Sequence, residues 1–158
     1  VTLKSPLNLG SNPPLTPINL KIYVSDLKDI TCKKECRIIS DDVFTSRIFT
    51  IDASRNSVVS LTVKCFDLTA YCSHNAVLNL RGKSDFVVLQ ASSGANVNNR
   101  ELETESTTAT ATGGAEVHVK ATKKFLLTAK TKAVIGYKKG TAAVTKSESM
   151  MGKVVEYE

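Results

Sequence analysis

Seven short segments of this chain share one pattern and recur at a nearly constant interval. Each is a small residue, three turn-type residues, a second small residue and then an apolar run. They are Cys32–Cys36, Ala53–Ser57, Cys72–Ala76, Ala91–Ala95, Ala111–Ala115, Ala129–Ala133 and Ser149–Lys153. The steps between their first positions are 21, 19, 19, 20, 18 and 20 residues. A unit this short has one apolar face and cannot bury it alone. Stacking successive units buries a continuous core and pairs the backbone in ladders.

The flanks of the turns identify the secondary structure. Ile48–Ile51, Phe66–Thr69, Phe86–Leu89 and Phe125–Thr128 precede turns. Val58–Val63, Val77–Leu80, Val117–Val119, Val134–Tyr137 and Val154–Tyr157 follow them. Alternation of period two and β-branched residues argue for strands, and the runs are too short for helices. A second corner recurs at Arg81–Ser84 and Lys138–Thr141. The expected fold is therefore all-β, a single-stranded parallel β-helix of about seven coils with a period near 19–20 residues. At the usual ladder spacing it is a rod roughly 30 Å long. The alternative is an antiparallel sandwich with regularly spaced turns. The Thr-rich stretch Glu101–Thr112 is the least apolar coil, although Thr suits a sheet face.

At 158 residues the chain has room for one domain. Its 42% hydrophobic and 23% charged residues are globular values. Residues 1–17 contain all four prolines and read as an extended leader, and residues 18–158 read as a single β-helix domain. Opening on Val1 rather than Met points to an upstream segment having been removed. No apolar run approaches the length of a membrane-spanning helix. The absence of Trp and only 6% aromatics argue against a sugar-stacking cleft or a base-stacking platform.

The net charge is +6, but no block of five basic residues occurs. Scattered lysines suit solvated faces and protected strand edges, and nucleic-acid binding is not expected. Cys32 and Cys36 face each other across one turn, and two readings stay open: a disulfide or two buried thiols. Cys32 and Cys72 hold the same turn position two coils apart, too far to bridge. The cysteine spacings are poor for zinc, and no metal is expected. His118 lies between Val117 and Val119 and is expected to point outward, and His74 sits in a turn. Neither has a nucleophile and an orienting acid at a fixed relation to it. Asp41, Asp42, Asp52, Asp67 and Asp85 do not converge on a shared offset, so no catalytic residue is assigned. The glycines form no phosphate loop, and no cofactor is expected.

The turns Ala91-Ser92-Ser93-Gly94-Ala95-Asn96-Val97 and Ala111-Thr112-Gly113-Gly114-Ala115-Glu116-Val117 carry a resemblance. So do Leu78-Asn79-Leu80-Arg81-Gly82-Lys83-Ser84-Asp85 and Ile135-Gly136-Tyr137-Lys138-Lys139-Gly140. Together they resemble the auto-transporter adhesin head GIN domain family. The resemblance is strongest over about residues 76–158 and fainter back to Pro17. It implies a parallel β-helix, an extracytoplasmic location (periplasm or cell surface) and an adhesion or envelope role, and it brings no catalytic residues. Most turns depart from the family's glycine-rich form, as at Lys130-Thr131-Lys132.

The resulting expectation is a non-enzymatic surface module. Exposed turns at Arg55, His74, Lys130 and Lys132 would contact a glycan or an envelope protein. Self-association through uncapped coil ends is a further expectation, because terminal coils need covering. The competing reading is a carbohydrate-active β-helix enzyme of the lyase or hydrolase kind.

Overall fold

The computed structural model describes residues 21–24, 27–138 and 140–157. The leader expected over residues 1–17 lies outside the described residues. Ten strands follow one another and there is no helix among the described residues: β1 Asp29–Lys33, β2 Arg37–Ser54, β3 Val58–Ser73, β4 Val77–Ser92, β5 Asn96–Ala111, β6 Glu116–Val119, β7 Lys124–Lys130, β8 Val134–Lys138, β9 Ala143–Ser149 and β10 Lys153–Tyr157. Every strand pairing is parallel and joins each coil to the next. The chain is a β-solenoid of about seven turns, and the sandwich alternative is excluded.

Each coil has two paired stretches, one after the turn and one before the next turn. In β2 to β5 both stretches belong to a single long strand. In the last coils they separate into β6 and β7, β8 and β9, with β10 closing the first face. The two faces enclose a core built of columns in register. One column runs Ile38, Val59, Leu78, Val97, Val117, Ile135, Val154. On the other face Phe49, Leu68, Val87, Thr107, Phe125 and Val144 align. The Phe125 and Tyr137 rings meet edge to face across the core, with centroids 5.4 Å apart. Each fully buried Leu, Ile or Phe in such a column contributes about 1.5–3 kcal/mol of burial.

The repeat register holds with one correction. Cys32, Ala53, Cys72, Ala91, Ala111 and Ala129 form one column, as the spacing predicts. In the seventh turn, however, Ala129 pairs with Glu148, and Ser149 pairs with Lys130. The motif there starts one residue earlier, because the second small position is Gly152, not Lys153. Gly152 has no room for a side chain, since a Cβ would run into the backbone of Ala129 and Lys130.

The second corner at Arg81–Ser84 lies inside a strand. Strand β4 runs through Arg81–Ser84 paired to β3. The bend is made at Gly82, whose φ is 98° and whose Cβ would strike the carbonyl oxygen of Val63. The Thr-rich stretch is a strand, β5. Thr107 takes an inward place in the Phe49–Phe125 column, and its hydroxyl is 2.8 Å from that of Thr104. Thr104 Oγ1 in turn donates to the Lys120 carbonyl at 2.6 Å. Asp41 and Asp42 fall in the register shift between Ile39 and Val43, as a polar corner.

Candidate functional site

The seven turns share one backbone shape. Each places two consecutive residues at positive φ, between 49° and 74°: Lys34-Glu35, Arg55-Asn56, His74-Asn75, Ser93-Gly94, Gly113-Gly114, Thr131-Lys132 and Met150-Met151. A pair of left-handed residues reverses the chain within a single short turn. In five of the turns the residue after the pair donates back across it, as Ala76 N does to the Ser73 carbonyl at 3.2 Å.

The turns also bond to one another. The second left-handed residue donates its N–H to the turn of the next coil: Glu35 to Arg55, Asn56 to His74, Asn75 to Ser93, Gly94 to Gly113, Gly114 to Thr131 and Lys132 to Met150, all at 2.9–3.0 Å. The result is a continuous ridge along one edge of the solenoid. Its side chains point outward from a backbone that is satisfied internally.

This ridge holds all four expected contact residues. Arg55 and His74 are neighbours in adjacent coils, both exposed. His74 Nδ1 lies 3.0 Å from Ser73 Oγ. Lys132 is on the sixth tip and Lys130 precedes it, three coils beyond His74, roughly 14 Å along the rod. Between the two basic groups the tips are Ser93-Gly94 and Gly113-Gly114, so the middle of the ridge is low and neutral.

Cys32, Cys36 and Cys72 stand at the ridge turns, and Cys65 lies in the middle of β3 opposite Ser84. All four are free thiols in this structure. Cys32 Sγ donates to the Cys36 carbonyl at 3.2 Å, and Cys72 Sγ donates to the Ala76 carbonyl at 3.3 Å. Burial pushes the Cys32 thiol up to about 12, with the neighbouring Cys36 adding to it. Burial, and then the negative charge of Asp52, pushes Cys72 to about 12. Cys65 is raised as well, chiefly by burial. Such thiols remain protonated and behave as small apolar side chains.

A second cluster, on the first face, was not assembled from the sequence. His118 points outward as expected and accepts neighbours on both sides. Glu116 Oε1 is 2.9 Å from His118 Nε2, and an Arg100 guanidinium nitrogen lies 3.1 and 3.2 Å from its two ring nitrogens. The Tyr157 ring packs edge-on to His118 at 5.7 Å and lies 5.0 Å from the Arg100 guanidinium carbon. Gly136 makes the room, since a Cβ there would sit 2.6 Å from His118 Nδ1. The signal was in the register, because Asn98, His118, Gly136 and Val155 follow at steps of 20, 18 and 19 residues. Burial raises the Tyr157 phenol, while Arg100 works against the rise. The group has no nucleophile within it.

The carboxylates stay apart. Asp52 pairs with Lys33 at 3.0 Å, and Glu101 pairs with Arg81 at 3.0 Å. Two shallow depressions of about 250 and 270 Å³ lie on the surface, one lined by Ser60, Asn79, Arg81, Asn98 and Glu101, the other by Thr45, Ser46, Lys64, Lys83 and Asp85. Among the described residues no group of three His, Cys, Asp or Glu could hold a metal ion. Among the described residues no helix is long and apolar enough to cross a membrane.

Comparison with curated proteins and with solved structures found no match to either. A family model matches residues 2–141. The match reaches further toward the N-terminus than the resemblance seen over 76–158, and it stops before the last coil. With the ridge, the columns and the stacked turns in place, this match over most of the length places the chain in the family described as "Putative auto-transporter adhesin, head GIN domain".

Proposed function

We propose that this chain is a non-enzymatic, extracytoplasmic binding module that holds a glycan or an envelope protein along its turn ridge. The observation that carries this is the ridge itself. Seven turns of one shape, cross-linked by backbone hydrogen bonds, hold outward side chains at a fixed repeat near 4.8 Å. A repeating ligand meets such a lattice with many weak contacts rather than one pocket. Arg55 and His74 form one contact group, and Lys130 and Lys132 form the other. Membership of a family described by adhesion supports the same reading and supports export from the cytoplasm.

The last described rung sets Lys146, Glu148 and Glu156 opposite Leu127, Ala129 and Tyr137, and Val144 and Val154 opposite Phe125 and Ile135. Inward charges on a terminal rung discourage a further rung from stacking.

The test is a glycan array and a cell-envelope pull-down with the wild type and with Arg55, His74, Lys130 and Lys132 each changed to Ser. Capture that weakens several-fold on these changes is expected. Capture that survives all four removes the ridge as the contact surface, and turnover of a polysaccharide would replace this reading with an enzymatic one.

A further inference from the structure

The +6 charge is not spread along the rod. Residues 1–116 hold twelve basic and twelve acidic side chains, and residues 117–158 hold nine lysines against three glutamates. The whole excess therefore belongs to the last coils. Toward the middle of the rod, basic groups have acidic partners, as in Lys120 with Glu103 and Lys123 with Glu105. Around the seventh turn they do not: among the described residues, Lys130, Lys132 and Lys153 are exposed and form no ion pair.

The tip that these lysines surround is Met150-Met151. Their side chains are 73% and 70% exposed. At the other six tips the two left-handed positions hold only polar residues or glycine. A left-handed conformation costs a side-chain-bearing residue about 1–2 kcal/mol, so two methionines are a costly choice for a turn that glycine fits. They add nothing to the core. The tip is also rigidly placed: Lys132 N donates to the Met150 carbonyl at 3.0 Å, Gly152 N donates to the Ser149 carbonyl at 2.9 Å, and Gly152 packs against the Ala129 backbone. Val155 and Val134, 49% and 36% exposed on the adjoining face, extend the apolar surface beside Lys153.

We infer that the Met150-Met151 tip with Lys130, Lys132 and Lys153 is a docking site for an anionic lipid surface, with the methionines entering the headgroup–acyl boundary and the lysines pairing with lipid phosphates. Charge complementarity and an unbranched apolar tip are what such an interface requires, since neither part binds stably alone. A soluble acidic polysaccharide would engage the lysines but has no use for the methionines. The site shares Lys130 and Lys132 with the ridge, whereas Met150, Met151 and Lys153 belong to it alone, so changing the two methionines tests the lipid contact without touching the proposed ridge contacts.

The experiment is co-sedimentation of the full chain with vesicles of phosphatidylcholine alone and of phosphatidylcholine with phosphatidylglycerol. Binding to the anionic vesicles only, weakened by added salt, is expected. Met150→Ser with Met151→Ser should reduce it roughly tenfold, and Lys130→Ser, Lys132→Ser and Lys153→Ser together by at least as much. Ser already occupies the tip position equivalent to Met150 at Ser93, and circular dichroism of each variant checks that the fold is kept. The chain has no tryptophan, so Met150→Trp supplies a single reporter. Its emission should shift to the blue on anionic vesicles and be quenched by brominated acyl chains. Absence of binding to anionic vesicles overturns the inference. So does binding that depends on the lysines but is indifferent to both methionine changes and leaves the tryptophan unquenched, which is the behaviour of a purely electrostatic, polysaccharide-type contact.

Discussion

The middle coils and the last coil follow the same winding and differ in what they point inward. From β2 to β4 the inward places hold Phe49, Leu68, Val87 and Leu89, each no more than 2% exposed. In β9, which occupies the same face, every residue is exposed. Its inward places hold Val144, Lys146 and Glu148. The charges are nevertheless tied in. Glu148 Oε1 accepts from Val154 N at 2.5 Å, Tyr137 donates to Glu156 Oε2 at 2.8 Å, and Lys146 Nζ lies 4.5 Å from the centre of the Tyr137 ring. A solenoid needs an apolar interior only where another rung covers it. In the last described rung the same positions are exposed, and charge is accommodated there. The family match ends at residue 141, where this change of composition begins.

The contrast is broken most forcefully by truncating the same column at two heights. Phe125→Ala should destabilise by about 3–5 kcal/mol, while Val144→Ala, one rung further, should cost less than about 1 kcal/mol. Urea unfolding midpoints check this, and equal losses would mean that the last rung is covered after all.

Alkaline pH probes the column behind the ridge. Cys72 is raised from 9.0 to about 12 in the folded chain. Its neutral form is favoured by folding, so its contribution is complete below pH 9 and is lost as pH rises toward 12. Thermal stability should fall across that window. Cys72→Ala, which places an Ala between Ala53 and Ala91, should flatten the fall. In the same reduced protein Cys36, the most accessible thiol, should alkylate before Cys32 and Cys72. Under oxidising conditions the expected Cys32–Cys36 bridge would register as loss of the two thiol hydrogens in the intact mass, and an unchanged mass would remove it.

The turns offer a smaller effect of opposite sign. Thr131 is a β-branched residue at φ 52°, where Gly113 stands one coil earlier at φ 59°. Thr131→Gly should stabilise by roughly 0.5–1 kcal/mol, and a loss would show that its contact with Met150 Sδ at 3.6 Å outweighs the backbone strain. Lys146→Leu with Glu148→Leu should leave monomer stability within about 1 kcal/mol while producing end-to-end association in sedimentation velocity. A variant that sediments as the wild type does would show that the inward charges do not control end-to-end association.

Much of the fold was legible because a stacked coil repeats its constraints in the chain. Cys32, Ala53, Cys72, Ala91, Ala111 and Ala129 are small for one reason: each packs directly on the next in a corner with no space to spare. The His118 cluster was less legible. Glu116 is close in sequence, but Arg100 and Tyr157 come from coils on either side, and Arg100 follows a register shift between Asn79 and Arg81 that no fixed period reveals. The off-by-one seventh turn has a similar origin. Glu148 breaks the small-residue rule at the very rung where packing no longer enforces it.

Spacing, alternation and small corner residues by themselves determined the winding, the number of coils and the set of outward tips, because each is a local demand met anew about every twenty residues. Which tips share a ridge with which charges, where the interior turns from apolar to ionic, and which lysines go unpaired beside Met150 and Met151 were decided only by the stacked structure. Those properties depend on neighbours one coil away, and the side chain that stands there is set by register, which a single bulge or a one-residue shift can move.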